Sequence, residues 1–187
     1  IISGAGGFAK TGSGTLTFDQ AHTYSGRTSI NDDGTLKTTS TGSLSNATAV
    51  NVSNSAKYEL GSDDEVGSIE GGGNIDLGTS RLTVGGDNAN TNFSGTISGT
   101  GGITKIGSGK LSLTGVKNYE GNTVVNAGTL LSQGSAMSSD ISVADGAVFE
   151  IYLPSASDAV TYSKIISGAG GFAKTSRSAN NLRVSDS

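Results

Sequence analysis

The eleven residues that open the chain, "IISGAGGFAKT" from Ile1 to Thr11, return unchanged at Ile165 to Thr175, and a looser version, "TISGTGGITKI", stands at Thr96 to Ile106. The likeness runs on past these phrases. Ile2 to Asn31 align without gaps with Ile97 to Asn126 at about half identity, "DDGTL" then faces "AGTL", and Val50 to Leu60 match Ile141 to Ile151. After Leu60 the copies part. The first carries "GSDDEVGSIEGGGNIDLGTSRLTVGGDNANTN" before Phe93, whereas the second reaches the equivalent Tyr162 after only "YLPSASDAVT". The first unit, 2–96, thus has 95 residues and the second, 97–165, has 69.

A closed barrel or a sandwich that lost such a block would lose a strand and its closure. A solenoid can lose a complete coil and restack, because each repeat touches only its neighbours. A coil of about 23 or 24 residues divides the two units into four turns and three, with the difference of one whole coil, and gives the chain roughly eight turns. Short β-type runs agree with this: "GTLTF", "VNVS", "RLTV", "KLSL", "TVVN" and "DISV" recur at spacings near ten residues, separated by Gly, Asn, Asp and Ser. Several alternate apolar with polar, as Leu111 and Leu113 do around Ser112, which turns one face inward. Eight coils at about 4.8 Å each make a rod on the order of 40 Å long. The rival is a Greek-key sandwich, also rich in short strands. The repeat unit of several strands and the coil-sized difference between copies favour the all-β solenoid.

Composition fits frequent tight turns and small side chains: 30 Gly, 1 Pro and 5% aromatics, with Ser and Thr supplying about a quarter of the chain. Charge is low at 15%, unlike a disordered polyelectrolyte. The net charge of −4 argues against nucleic acid or an anionic membrane surface as partner, since both call for a basic patch. No cysteine is present, which excludes disulfides, a thiol nucleophile and Cys-ligated zinc. No apolar run approaches the roughly 20 residues of a membrane helix, and the opening lacks the pattern of a signal peptide. A start in the middle of a repeat reads as a segment of a longer polypeptide. The expected organisation is a single β-helix over 1–175, with units 2–96 and 97–165 and a partial unit 166–175, followed by a divergent or disordered tail, 176–187, where "SRSANNLRVSDS" replaces the repeat phrasing.

The run "ISGTGGITKIGSGKLSLTGVKNYEGNTVVNAGTL", Ile97 to Leu130, and less closely Ile2 to Leu36, resembles the passenger-associated repeat of bacterial autotransporters. That resemblance implies a right-handed parallel β-helix passenger, carried to the surface of a Gram-negative cell through an outer-membrane barrel absent from this segment. It further implies an adhesin shaft and host-contact surface, on the cell or released, whose partner is a host cell-surface protein or glycan. Self-association is compatible with it. The alternative is a released passenger acting as a soluble ligand for a host receptor, and behind that a polysaccharide-acting enzyme on the same scaffold. Absence of cysteine suits a passenger that crosses the outer membrane unfolded.

Chemical motifs are weak against this background. The glycines of "ISGAGGFAK" read as positions of positive φ or close packing, with Ile2 and Phe8 turned inward. "GSGKLS", Gly107 to Ser112, lacks the spacing of a phosphate loop, and "GAGGFA" lacks the last glycine of a dinucleotide fingerprint. "GGGNIDL", Gly71 to Leu77, has Asn74 where a calcium β-roll wants Gly, and no second copy follows. The run Asp63, Asp64, Glu65 reads as a solvated loop. His22 is the sole histidine and its counterpart in the second copy is Lys117, which marks an exposed, variable turn position. Glu59 and Glu150 occupy matched strands and are expected to face outward, apart from one another. The sequons at Asn46, Asn51 and Asn92 are of a kind that arises by chance in Asn- and Thr-rich repeats. No catalytic, cofactor-binding or metal-binding residue is therefore assigned, no cofactor is expected, and the expected function is non-catalytic.

Overall fold

The computed structural model describes residues 1–134, 137–155, 160–176 and 182–184. All regular secondary structure among them is short β-strand, and every pairing between strands is parallel. Three sheets run along the molecule as the faces of a parallel β-solenoid. The first has nine strands, from Phe8–Lys10 at one end to Gly171–Ser176 at the other. The second runs from Thr15–Phe18 to Val116–Tyr119, and in chain order the pair Val160–Tyr162 and Leu182–Val184 follows on the same face. The third runs from Asp64–Val66 to Ile166–Ser167, with the pair Ser3–Gly4 and Thr23–Tyr24 and the bridge Ala21 to Ser43 in the corresponding place of the earlier coils. Nine strands in the first sheet make eight coil-to-coil steps, in keeping with the roughly eight turns expected of the chain.

Strands of two to six residues fold here because each finds backbone partners in a neighbouring coil. Alternation then sends every second side chain inward, and in-register stacking lines these up in columns. Leu16, Leu36, Tyr58, Ile75 and Ile97 form the inward column of the second sheet. Ile30, Val52, Gly71, Phe93, Leu113, Ser132 and Ile151 form one on the first sheet, and Val66, Val84, Lys105, Val125 and Val143 one on the third. These columns meet along the axis as one continuous buried core. Burying each large aliphatic contributes about 1.5–3 kcal/mol.

Two details depart from the sequence reading. Along the first sheet, stacked residues lie 19 to 23 apart, as Ala49 to Ser68 and Val148 to Gly171 show, so most of the coils are shorter than 23 or 24. The corners are tighter than average loops: only Ser94 and Gly95 separate Phe93 from Thr96, and a Cβ on Gly95 would lie 1.8 Å from the Gly73 carbonyl oxygen. The second departure concerns the units themselves. Phe8–Lys10 is in the first sheet, but its counterpart Ile103–Lys105 is in the third, and the third copy, Gly171–Ser176, is again in the first. The first unit therefore advances four turns and two thirds, and the second three turns and one third. The 26-residue difference is one coil and a third, not one coil, and it moves the homologous strands to a neighbouring face.

The inward orientation expected for Ile2 and Phe8 holds in the middle copy, where Ile97 and Ile103 are buried; Phe8 packs on the core, while Ile2 is 37% exposed. Of the tail, Leu182–Val184 pairs with Val160–Tyr162, and 177–181 and 185–187 lie outside the described residues.

Gly6 and Gly101 are equivalent in sequence but not in packing. A Cβ at Gly101 would stand 1.8 Å from the Ser80 carbonyl oxygen, whereas one at Gly6 meets nothing within 4 Å. Urea unfolding is accordingly expected to show Gly101→Ala destabilised by about 1–3 kcal/mol or more and Gly6→Ala close to wild type.

Candidate functional site

The outer surface, not the interior, carries the shapes a ligand could use. Toward the end of the first sheet the strands lengthen, from three or four residues to Thr129–Gln133, Val148–Leu153 and Gly171–Ser176. Their outward side chains border an open groove of about 510 Å³ whose lining includes Asn92, Lys110, Leu131, Gln133, Glu150 and Tyr152. Register explains its floor. Ser112, Leu131 and Glu150 stack in one outward row, and Gln133, Tyr152 and Thr175 in the next. Leu131 points away from the core yet is buried, since Lys110 Nζ reaches Glu150 Oε2 at 2.7 Å across the intervening strand. Thr175 Oγ1 donates to Glu150 Oε1 at 2.6 Å. Burial works to raise the Glu150 carboxyl, but the hydrogen bonds from Lys110 and Thr175 and the Lys110 charge hold it below its usual value. The result is a polar trough with one aromatic ring and a neutralised ion pair.

Glu59 lies on the second sheet, away from Glu150. Lys37 and Lys57 both pair with it, at 2.5 and 3.2 Å, and Lys57 also reaches Asp76 at 2.9 Å, so a string of opposite charges crosses three coils. Both glutamates face outward as expected and neither meets a second free carboxylate. Asp76, in "GGGNIDL", is thus held by a lysine and by the Gly78 N–H. "GSGKLS" forms a corner at Gly107, with φ of 68°, between two strands of the stack. Of the sequon hydroxyls, Thr48 is buried and donates to the Gly26 carbonyl.

His22 is not an exposed turn residue. It is 9% exposed, its ring lies 4.1 Å from that of Phe18, and its Nδ1 accepts from the Ile2 N–H. Burial above all lowers its pKa. Asp64 is likewise no loop residue. It stands in the strand Asp64–Val66, stacked with Leu82, is buried, and accepts from the Tyr58 hydroxyl and from the backbone N–H of Leu44 and Glu65. Desolvation raises it despite those bonds. His22, Asp63, Asp64 and Glu65 border a second surface hollow of about 370 Å³. Among the described residues no three His, Cys, Asp or Glu stand together as metal ligands.

Sequence reasoning missed the inward lysines. Lys105, the lysine of the repeat phrase, occupies the inward column between Val84 and Val125 and turns its ammonium back onto the carbonyls of Ile106, Gly107 and Ala127. Lys10 does the same with Thr11 and Gly12. The motif lysine is a staple for the following turn. Lys117 stacks on Ile97, and its ammonium meets the carbonyls of Leu113, Gly115 and Gln133 and no carboxylate. Burial pushes it down to about 8. The one available signal was the shared lysine at matched positions 10 and 105.

A parallel solenoid with sealed columns inside and charge-paired outer faces is a scaffold that displays a surface. The passenger-associated-transport-repeat matches residues 8–37 and 103–131, the equivalent stretches of the two units. Over 129 residues, 65% of the chain, it is 37% identical to the adhesin BmaC autotransporter of Brucella suis biovar 1 (strain 1330), of whose length that match covers 4%. No solved structure matches it. The two repeat matches and this likeness support a passenger repeat region of the autotransporter type.

Lys117 offers a direct check on the buried lysine. Unfolded, it keeps its proton to about 10.5; folded, it gives it up near 8, so between those values the unfolded state binds more protons and stability rises with pH. Compared with Lys117→Met, the wild type is expected to gain about 2 kcal/mol between pH 7 and pH 10 in paired urea titrations. Parallel pH profiles would contradict the buried ammonium.

Proposed function

We propose that the chain is a non-catalytic segment of an adhesin passenger, exported to the surface of a Gram-negative cell or released from it, and that the groove on the first sheet is its contact surface for a host protein or glycan. The observation that carries this reading is the groove itself: an outward trough in which Tyr152 offers an apolar face beside amides and hydroxyls of Asn92, Gln133 and Thr114. Such a mixture suits a polar, extended ligand laid across the strands. The name of the Brucella relative, an adhesin, supports the same class of function. The state of the carboxylates favours binding over chemistry. Glu59, Asp76 and Glu150 are each occupied by lysine, and Asp64 by Tyr58 and backbone N–H groups, so none of these four stands ready as a free acid or base.

Labelled chain is expected to bind cultured host cells saturably, and Asn92→Ala with Tyr152→Ala to weaken that binding at least tenfold while the circular dichroism of the rod is unchanged. Loss of binding on removal of surface glycans would identify the ligand class as carbohydrate, and loss after protease treatment as protein. No saturable binding, or binding indifferent to the two substitutions, would refute the groove. Release of products from a glycan panel would refute the non-catalytic reading.

A further inference from the structure

We propose that the groove on the first sheet takes an uncharged, extended oligosaccharide laid along the axis of the rod, with one sugar ring to each coil. The proposal rests on the reading of that groove as the contact surface. Four of its side chains carry the inference, one from each of four successive coils: Asn92, Ser112, Gln133 and Tyr152. Asn92 stacks on Ser112 in one outward row, and Gln133 stacks on Tyr152 in the next. Each of their strands has a neighbour on both sides in the nine-stranded sheet, so the register is fixed from above and below.

What these groups leave free defines the ligand. Asn92 Oδ1 accepts from Thr114 Oγ1 at 3.0 Å, which leaves the amide N–H groups of Asn92 as donors. The side chains of Ser112, Gln133 and Tyr152 have no hydrogen-bond partner among the described residues. Amides and hydroxyls together offer donors and acceptors side by side, as the hydroxyls of a sugar do. The charges in the groove are already spent. Lys110 Nζ lies 2.7 Å from Glu150 Oε2, and Thr175 Oγ1 donates to the other carboxylate oxygen at 2.6 Å. An acidic ligand would have to take Lys110 from its partner, and a basic one would have to take Glu150. The half-buried ring of Tyr152 adds a flat apolar surface with a polar tip, which suits the C–H face of a sugar ring.

Spacing then separates a glycan from a peptide. Successive coils, and with them successive polar groups, lie about 4.8 Å apart along the axis. A ring in an extended β-linked glycan advances by about the same distance, so each ring meets its coil in the same way. An extended peptide advances by roughly 3.3 Å per residue and presents like side chains roughly 6.6 Å apart, which puts it out of step within two coils. Laid parallel to the strands instead, a peptide needs an open sheet edge, and these four strands have none.

Calorimetry on the whole chain with β-linked oligomers of glucose, galactose and N-acetylglucosamine, from disaccharide to hexasaccharide, tests this. At least one series is expected to bind, with affinity rising about tenfold from disaccharide to tetrasaccharide and level beyond it, since four coils carry the free groups. Binding should be the same at low and high salt, and sulfated or sialylated counterparts should bind about tenfold more weakly or worse. Gln133→Ala and Tyr152→Ala should each lower the affinity about fivefold or more with unchanged circular dichroism. Tyr152→Phe, which keeps the ring, should lose less than Tyr152→Ala. No binding by any series, affinity indifferent to length, or a preference for the charged forms would overturn the proposal. So would oligosaccharide binding untouched by the substitutions at 133 and 152. The groove and its ligand class fail separately. Cell binding that depends on Asn92 and Tyr152 but survives removal of surface glycans keeps the groove and rejects the oligosaccharide, whereas absence of both cell and oligosaccharide binding rejects both.

Discussion

Everything in this molecule hangs on the parallel, in-register backbone ladder between successive coils. It satisfies the polar backbone of strands too short to be stable alone, and it fixes which residues share a column. Once Leu36 stacks on Leu16 and Tyr58 on Leu36, side chains far apart in sequence become neighbours along a line. A polar residue that falls in such a column must then find its partners across its own coil or the next one. Lys105 and Lys117 do so through carbonyls, and Tyr119 does so through Thr123 Oγ1 at 2.7 Å. Burial drives the Tyr119 hydroxyl upward, as it drives both lysines downward, because each time the charged form is the one deprived of water.

The third of a turn by which the units are offset has a physical meaning. Homologous strands serve the first sheet in one copy and the third in another, so the repeat phrase is not addressed to a face. What it encodes is a local event: a short strand, a glycine turn with positive φ, a second strand and a lysine that closes the following corner. Gly4, Gly99 and Gly168 keep that turn, at 106°, 117° and 109°, on whichever faces their strands fall. Faces are distinguished by what lies above and below instead. Residues outside the phrase, such as the lengthened strands around Glu150, are therefore the ones able to make one side of the rod different from the others.

The fold was legible because its signal is long-ranged and redundant: two aligned units, alternation in runs such as Lys110–Leu113, and glycine at the turns. Coil length was overestimated because sequence does not reveal that a corner such as Ser94 and Gly95 needs only two residues. The phase of the units was hidden for the same reason, since a 26-residue difference can be one coil or one coil and a third according to corner length. The surface was less legible than the core. His22 and Asp64 look like loop residues by type, and only the columns place them inside. The groove depends on strand length and on the reach of Lys110 across Leu131, a contact over 40 residues of sequence that no local pattern announces.

Charge placement distinguishes the two sides of the rod. On the second sheet Lys37, Glu59, Lys57 and Asp76 alternate across coils, which uses up their hydrogen-bonding capacity on one another. Exposed pairs of this kind contribute at most about 1 kcal/mol each to stability; their stronger effect is to tie these four charged groups to one another. On the first sheet a single pair, Lys110 with Glu150, lies low over Leu131, and the amides of Asn92 and Gln133 and the ring of Tyr152 stand around it. Groups that can still bond thus stand over an apolar floor that is already covered. The stiffness of the ladder holds this arrangement in place.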